Sequence, residues 1–310
     1  MTHQDPLADE LRSTLEAHYG LRLDASTPLL GGEEAWVWQV SSSLGPLVVR
    51  MSPVSRSPWR LQWIHQLLLA LAPSLPAVLA PLLTLDGSTL VRYQEQSVVL
   101  FPFVRGVRLD REQAQLRQAA ACLLAQIHTT FLPLTPHPAS LERERMLGEG
   151  LPKALPDPES LCDPELDRWH RSLLENPACF TVGLIHGDYH RGNLLTQGRQ
   201  IVAVLDWDAV HTDVLMQEVA WASWEFGKTS SSDDWHLDRV QAFLQGYREA
   251  GGPCKVEEYR TVIPFVRWRL REELRRHFAE VEASLPSDPD YATRQLRAFE
   301  RLRACKAVFI

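Results

Sequence analysis

The chain has 310 residues, 45% of them hydrophobic and 23% charged, and a formal net charge of -7 at pH 7. That is more chain than one core commonly fills, so two lobes or domains are expected. The composition is that of a soluble globular protein. The acidic balance argues against a general nucleic-acid binder, which would carry a basic face, and is compatible with a cationic substrate.

Cys122, Cys162, Cys179, Cys254 and Cys305 are scattered, odd in number and without a CxxC, so neither a disulfide framework nor a zinc site is indicated. The first twenty residues lack a basic start followed by an apolar block, which argues against a secretory signal. The longest apolar stretch, residues 67–85, is broken by Pro73, Pro76 and Pro81. It predicts a helix end followed by an extended loop rather than a membrane span. A cytoplasmic protein with reduced thiols is expected.

In chain order, Leu7, Leu11, Leu15 and Tyr19 recur at spacings of four and predict an amphipathic helix over residues 5–19. Residues 35–40 and 47–51 read as strands around a turn at 41–46. A helix over 59–72 and strands at 89–93 and 97–101 follow. Beyond Arg105 and Gly106 the pattern is mostly helical, with predicted helices over 111–129, 215–226, 235–250, 256–283 and 289–307. The exception is residues 193–206, which read as a tight hairpin. The picture is an α+β chain with a strand-rich domain over 1–104 and a helical domain over 105–310. The junction is the natural place for a cleft.

The informative text is HGDYHRGN at residues 186–193, then the hairpin, then Asp206, Trp207 and Asp208. Phosphoryl transfer needs a carboxylate beside the incoming hydroxyl, ligands for the metal on the phosphates, and positive charge opposite the developing negative charge. Asp188 can supply the first. Asn193 and Asp206 can supply oxygen ligands, which suit a hard ion such as magnesium. With the hairpin turn centred between residues 198 and 199, Asn193 falls opposite Val204, and Asp206 emerges just past the strand on the same rim.

Residues 186–193 resemble the HGDxxxxN catalytic loop of the aminoglycoside phosphotransferase and choline kinase-like families, relatives of the protein kinases, whose loop reads HRDxxxxN. Residues 204–208 (VLDWD) resemble the counterpart of the DFG segment. Residues 29–40 look like the first hairpin, 100–106 (LFPFVRG) like the interlobe linker, and 123–128 like the helix before the catalytic region. The resemblance implies a bilobal kinase-like fold, ATP (or GTP) and magnesium as cofactors, Asp188 as catalytic base, and Asn193 and Asp206 as metal ligands. It makes Phe101 and Phe103 in the linker nucleotide-binding candidates. Gly31 and Gly32 could let backbone amides approach the phosphates, or could be only a turn.

Arg50 stands where the kinase strand lysine would be, and its fork can grip phosphate bidentately. Kinases pair that lysine with a helix glutamate. Here no Asp or Glu occurs from Ser52 to Leu85, and Ile64 falls near the glutamate position. Gln62, His65 or Gln66 could orient Arg50, or nothing does. His186 is expected to brace the loop, and His190 to contact substrate or face solvent.

Glu218, Trp221 and Glu225 share a helix face, with Trp224 beside it. Carboxylates beside tryptophans favour an amine, so Trp221, Glu225, His190 and Asp208 are substrate candidates. Glu218 also matches an acidic family position that braces the catalytic loop. The arginine-rich run 267–276, with Glu272 and Glu273 interspersed, predicts a solvated, paired helix face.

The leading reading is a kinase that phosphorylates a hydroxyl of a small, amine-bearing molecule such as an aminoglycoside-like antibiotic, choline or homoserine. A non-catalytic binding protein on a kinase scaffold is the second reading. The third is a metal-dependent hydrolase built on His186, Asp188 and His190, with His211 nearby. Acceptor, nucleotide preference and oligomeric state are left open.

Overall fold

The computed structural model describes residues 6–29, 35–134, 158–229, 235–283, 288–305 and 309. Gly31 and Gly32 lie outside them. The chain forms two compact units, one from residues 1–108 and 193–208, the other from 109–192 and 209–310. The division expected at residue 104 therefore falls later, and the hairpin expected in the second domain belongs to the first unit. The backbone gives the reason. β6 (Val107–Arg108) pairs with β8 (Leu194–Gln197), and the Val204 N–H donates to the Ala77 carbonyl at 2.8 Å.

In the first unit, α1 (Asp9–Tyr19) starts with two acids in its first turn, where the helix dipole favours them. It ends at Gly20, whose φ of 64° suits a left-handed cap. Leu11, Leu15 and Tyr19 are buried against Trp38, Val49, Val98 and Leu100. Each fully buried leucine contributes about 1.5–3 kcal/mol.

The sheet is antiparallel, in the order β1 (Leu23–Pro28), β2 (Trp36–Ser42), β3 (Gly45–Ser52), β5 (Gln96–Pro102), β4 (Val91–Tyr93). β2 and β3 run further toward their turn than the composition of residues 41–46 predicts. The Ser42 hydroxyl donates to the Gly45 carbonyl at 2.6 Å and Gly45 takes a φ of 98°, so two residues suffice to reverse the chain. α2 (Pro58–Leu71) opens on a proline, which costs nothing where the N–H has no helical partner. After α2 the chain passes through turns that hold Pro73 and Pro76, with the Leu75 N–H donating to the Leu71 carbonyl and the Val78 N–H to the Leu75 carbonyl, so the loop expected here is extended only around Pro81. Among the described residues no helix is long and apolar enough to cross a membrane.

β8 and β9 (Gln200–Val204) form the expected hairpin, with Gly198 at φ 58° in its turn. A bulge intervenes between Leu195 and Thr196, so Leu194 rather than Asn193 faces Val204. The Leu205 N–H instead donates to the Asn193 carbonyl at 2.8 Å. Asn193 thus faces the residue that directly precedes Asp206.

The second unit contains α3 (Ala114–Phe131), α4 (Pro164–Glu175), α5 (Leu215–Gly227), α6 (Leu237–Glu249), α7 (Val262–Glu282) and α8 (Pro289–Arg303), with a two-stranded antiparallel ladder of β7 (Val182–Ile185) and β10 (His211–Val214). α3 packs on α6, α5 on both α6 and α7, and α8 on α7. The single helix predicted over 256–283 is a 3-10 turn followed by α7. Pro264 lacks an N–H and would break a helix interior, but it is tolerated in the first turn of α7.

The arginine-rich run is not wholly solvated. Arg269 pairs with Glu273 and Arg275 with Glu272, but Arg267 and Arg271 are buried and pair with Asp163 and Asp167 at the start of α4.

Candidate active site

The loop after β7 is held from beneath by one carboxylate. Glu218, on α5 and 4% exposed, accepts the His186 N–H at 3.0 Å and the Gly187 N–H at 2.6 Å. His128 Nε2 on α3 meets the same carboxylate at 2.9 Å, and its Nδ1 lies 2.8 Å from the Tyr247 hydroxyl, which in turn touches the Cys254 thiol at 3.5 Å. Burial by itself pushes the Glu218 carboxyl up. The His128 hydrogen bond, the charges of His128 and His186 and the His186 N–H outweigh it and hold the group below the ordinary range. The brace expected from Glu218 is therefore present. His128 and Tyr247 went unread because in sequence they are one polar residue each on otherwise apolar helix faces.

Two further contacts fix the loop. The Tyr189 hydroxyl donates to the Ala120 carbonyl at 2.8 Å, and His186, fully buried, accepts the Asp188 N–H on Nδ1 at 3.2 Å. Gly187 has a φ of 82°, and a Cβ there would meet the Ala209 carbonyl oxygen at 2.3 Å. Gly187→Ala should therefore destabilise the second unit by more than the roughly 1–2 kcal/mol of a left-handed L-residue. A urea unfolding curve will show a lowered midpoint.

Asp188 leaves this frame half-exposed. Its carboxylate lies 3.4 Å from His190 Nε2. His190 Nδ1 accepts the Gly192 N–H at 3.1 Å, which leaves Nε2 to carry the proton that faces Asp188. Burial pushes the Asp188 carboxyl up, but the His190 hydrogen bond and the charges of His190, His186 and Arg269 hold it below the ordinary range. At neutral pH Asp188 is an ionised, solvent-reachable acceptor, the state a general base requires.

The face read as an amine site is already occupied by cations. Glu225 is ion-paired with Lys228, and Arg111 approaches it at 3.9 Å. Over Trp221 lie Arg269 at 5.0 Å and Lys228 at 5.8 Å, and Lys228 also lies 5.1 Å from the Trp224 ring. Trp221 and Trp224 are 7% and 2% exposed. The tryptophans and the acid thus attract positive charge as their chemistry predicts, but the charge is the protein's own.

In the first unit, Asn193 is buried and Asp206 is exposed, with an uncommon φ of 59° for a non-glycine residue. Such backbone in a non-glycine residue persists where the surrounding structure holds it. Here the Trp207 indole N–H, donating to the Val204 carbonyl at 3.0 Å, anchors the next residue. Among the described residues no group of three or more His, Cys, Asp or Glu side chains could hold a metal by itself. One amide oxygen and one carboxylate fit an ion that completes its shell with phosphate oxygens and water, as magnesium does. The histidine string gives no such cluster. His186 and His190 each spend Nδ1 on a backbone N–H, and His211 Nδ1 meets the Ala209 carbonyl at 2.7 Å.

Arg50, on β3 between Val37 and Val99, is paired with Asp208, and Arg56 reaches the same carboxylate at 3.5 Å. Asp208, read from the sequence as a substrate acid, is thus engaged by two guanidinium groups. Phe101 stands edge-on to His65, ring centroids 5.8 Å apart, and the Phe103 N–H donates to the Pro46 carbonyl at 3.1 Å. Arg56 carried no signal in the sequence beyond its charge.

A strand-rich unit that carries a paired strand arginine and a hairpin ending in Asp206, together with a helical unit that braces an HGD loop, defines a kinase-like phosphoryl-transfer protein. The chain belongs to the phosphotransferase enzyme family, whose model matches residues 26–265. A homoserine kinase of Methylobacillus glycogenes is 27% identical over 230 residues, 70% of this chain and 70% of that protein.

Among solved structures, an amicoumacin kinase in complex with AMP-PNP, Ca2+ and Ami superposes with a TM-score of 0.69 at 14% identity, over 96% of this chain and 92% of that one. A microcompartment-associated aminopropanol kinase gives 0.65 at 20% identity, over 93% of each chain. A choline/ethanolamine kinase family protein from Mesorhizobium loti gives 0.64 at 15%, over 96% and 95%. At these identities the structural likeness is one of fold.

Proposed function

We propose that this phosphotransferase transfers the terminal phosphoryl group of ATP to a hydroxyl of a small amine-bearing alcohol. The observation that carries the reading is Asp188, ionised and half-exposed on a loop braced by Glu218, five residues before Asn193. Asp188 orients the acceptor hydroxyl and takes its proton as the oxygen attacks the terminal phosphorus. The bond to the bridging oxygen breaks and ADP leaves. Asn193 and Asp206 would hold magnesium, which would neutralise charge on the phosphates. Arg50 grips the phosphates. The first unit serves the nucleotide, and the second supplies the base and receives the acceptor.

The amine-bearing class is supported by the named activities of the relatives, homoserine kinase and aminopropanol kinase. On the Trp221 and Glu225 face, Lys228 and Arg269 already stand against the acid and the ring. A nucleotide-turnover screen across homoserine, aminopropanol, choline, ethanolamine and aminoglycosides tests the class. Turnover with at least one amine-bearing alcohol is expected. Turnover confined to sugars or other amine-lacking alcohols would contradict it.

A pH profile follows from the base. Asp188 must be ionised, and its proton affinity is held below the ordinary carboxylate value. The acid limb of kcat/KM therefore lies below that value, and activity is lost only as pH falls through it. His190→Ala removes the hydrogen bond and charge that do most to hold the carboxyl down, so its acid limb should move to higher pH. An unmoved limb would mean that Asp188 and His190 do not interact in the working enzyme.

A further inference from the structure

Arg50 is a permanent charge on an interior strand of the sheet, and a cation placed there needs a counter-charge. No acid is available from residues 52–85, a stretch that includes all of α2. On α2, His65 is 2% exposed and feels the Arg50 charge. Burial first, and then the Arg50 charge, push His65 down to about 4, with Asp208 pulling the other way. His65 is therefore neutral at pH 7. Its Nδ1 has no hydrogen-bond partner among the described residues.

The counter-charge comes instead from Asp208, 158 residues further along the chain, in the 3-10 turn Trp207–Ala209. The Arg50 and Asp208 side chains are 21% and 15% exposed, so the pair is sheltered from the screening that makes surface ion pairs weak.

We infer that Asp208 is a positioning residue that holds Arg50 and Arg56 as a two-arginine grip for the nucleotide phosphates, in place of the helix acid of the protein kinases; this rests on the phosphotransferase reading above. Arginine guanidinium groups suit phosphate oxygens, and Asp208 brings these two to one place. Asp208 stands two residues after Asp206, so the acid that orients the cations and the residue that holds the metal share one short turn. Protein kinases switch the lysine–glutamate pair by moving the helix that carries the glutamate. α2 contributes nothing to the pair here, so its position does not gate the grip.

Calorimetric titration with magnesium AMP-PNP tests this on the full chain, with acceptor KM measured beside it. Asp208→Asn and Arg56→Gln should each weaken nucleotide binding about tenfold or more, and Asp208→Glu by less, while acceptor KM moves little. Adding His65→Glu to Asp208→Asn returns an acid from the helix side and should restore part of the lost affinity. Wild-type nucleotide affinity in both Asp208→Asn and Arg56→Gln, or a loss confined to acceptor KM, overturns the assignment. If Asp208→Asn does not fold, Arg56→Gln and Asp208→Glu carry the same comparison. A wild-type chain that binds no nucleotide overturns the phosphotransferase reading itself, an outcome distinct from any variant result.

Discussion

Replacing Asp188 by asparagine should lower the rate of phosphoryl transfer about 10²–10⁴-fold, the range that general-base catalysis supplies. The substitution keeps the size of the side chain and removes its ability to take a proton. Little else should change. The Asp188 side chain is 40% exposed, and the bonds that hold the loop are made by its neighbours, His186 and Gly187 to Glu218 and Tyr189 to Ala120. The unfolding midpoint in urea should stay near that of the wild type while kcat collapses. A large fall in the midpoint together with activity would make Asp188 a structural residue. A kcat within threefold of wild type would remove it from the chemistry.

Glu218→Ala should have the opposite signature, a large loss of stability with activity following it. The carboxylate is the shared partner of two backbone N–H groups and of His128, the His186 and His128 bonds buried and the Gly187 bond partly so. Removing one member of a buried charged network costs about 3–5 kcal/mol, because the partners are left desolvated and unpaired. Glu218→Gln keeps the volume and loses the charge, so it should fall between.

The pH dependence has a definite sign. The folded carboxyl is held below its unfolded value, despite a burial effect that works the other way. Its contribution is therefore complete above the unfolded carboxylate range and is lost as pH falls through the folded value. Chemical denaturation of wild type and Glu218→Gln across acid pH should show wild type losing its advantage there. Curves that run parallel at every pH would mean that the Glu218 charge contributes nothing.

Much of the architecture could be read from local patterns. α1, α2, α3 and strands β2 to β5 of the first sheet show in the local sequence pattern. β7 and β10 have four residues each and β6 has two, too few for a period to register, and β1 is an edge strand with only Leu23 buried. The start of α7 was legible in principle, since Pro264 can stand only in a first turn. The hairpin was read with its turn in the right place, but a bulge leaves no trace in composition, and it shifts the partner of Asn193 by one residue.

The site divides in the same way. Asp188, Asn193 and Asp206 are close in sequence to the loop and hairpin that present them, so their type and spacing could be read together. The partner of Arg50 could not. A search of α2 for an acid was the natural one, and it failed because the acid lies 158 residues away. The fate of the Glu225 and Trp221 face was hidden for a related reason. Lys228, which pairs with Glu225, is only three residues along the chain, but Arg111 and Arg269 reach the face from before α3 and from α7. Arg267 and Arg271 show the converse, since a charge run reads as solvated until Asp163 and Asp167 are placed beside it.

The central claim is that this chain moves a phosphoryl group from ATP to a small-molecule hydroxyl with Asp188 as base. The most direct measurement is identification of the product, by phosphorus NMR and mass spectrometry, after incubating wild type and Asp188→Asn with magnesium ATP and the best acceptor from the screen. A phosphomonoester of the acceptor formed with wild type, and formed far more slowly with Asp188→Asn, is the predicted result. Phosphorylated acceptor at equal rates from both proteins, or release of inorganic phosphate alone with no modified acceptor, would contradict it.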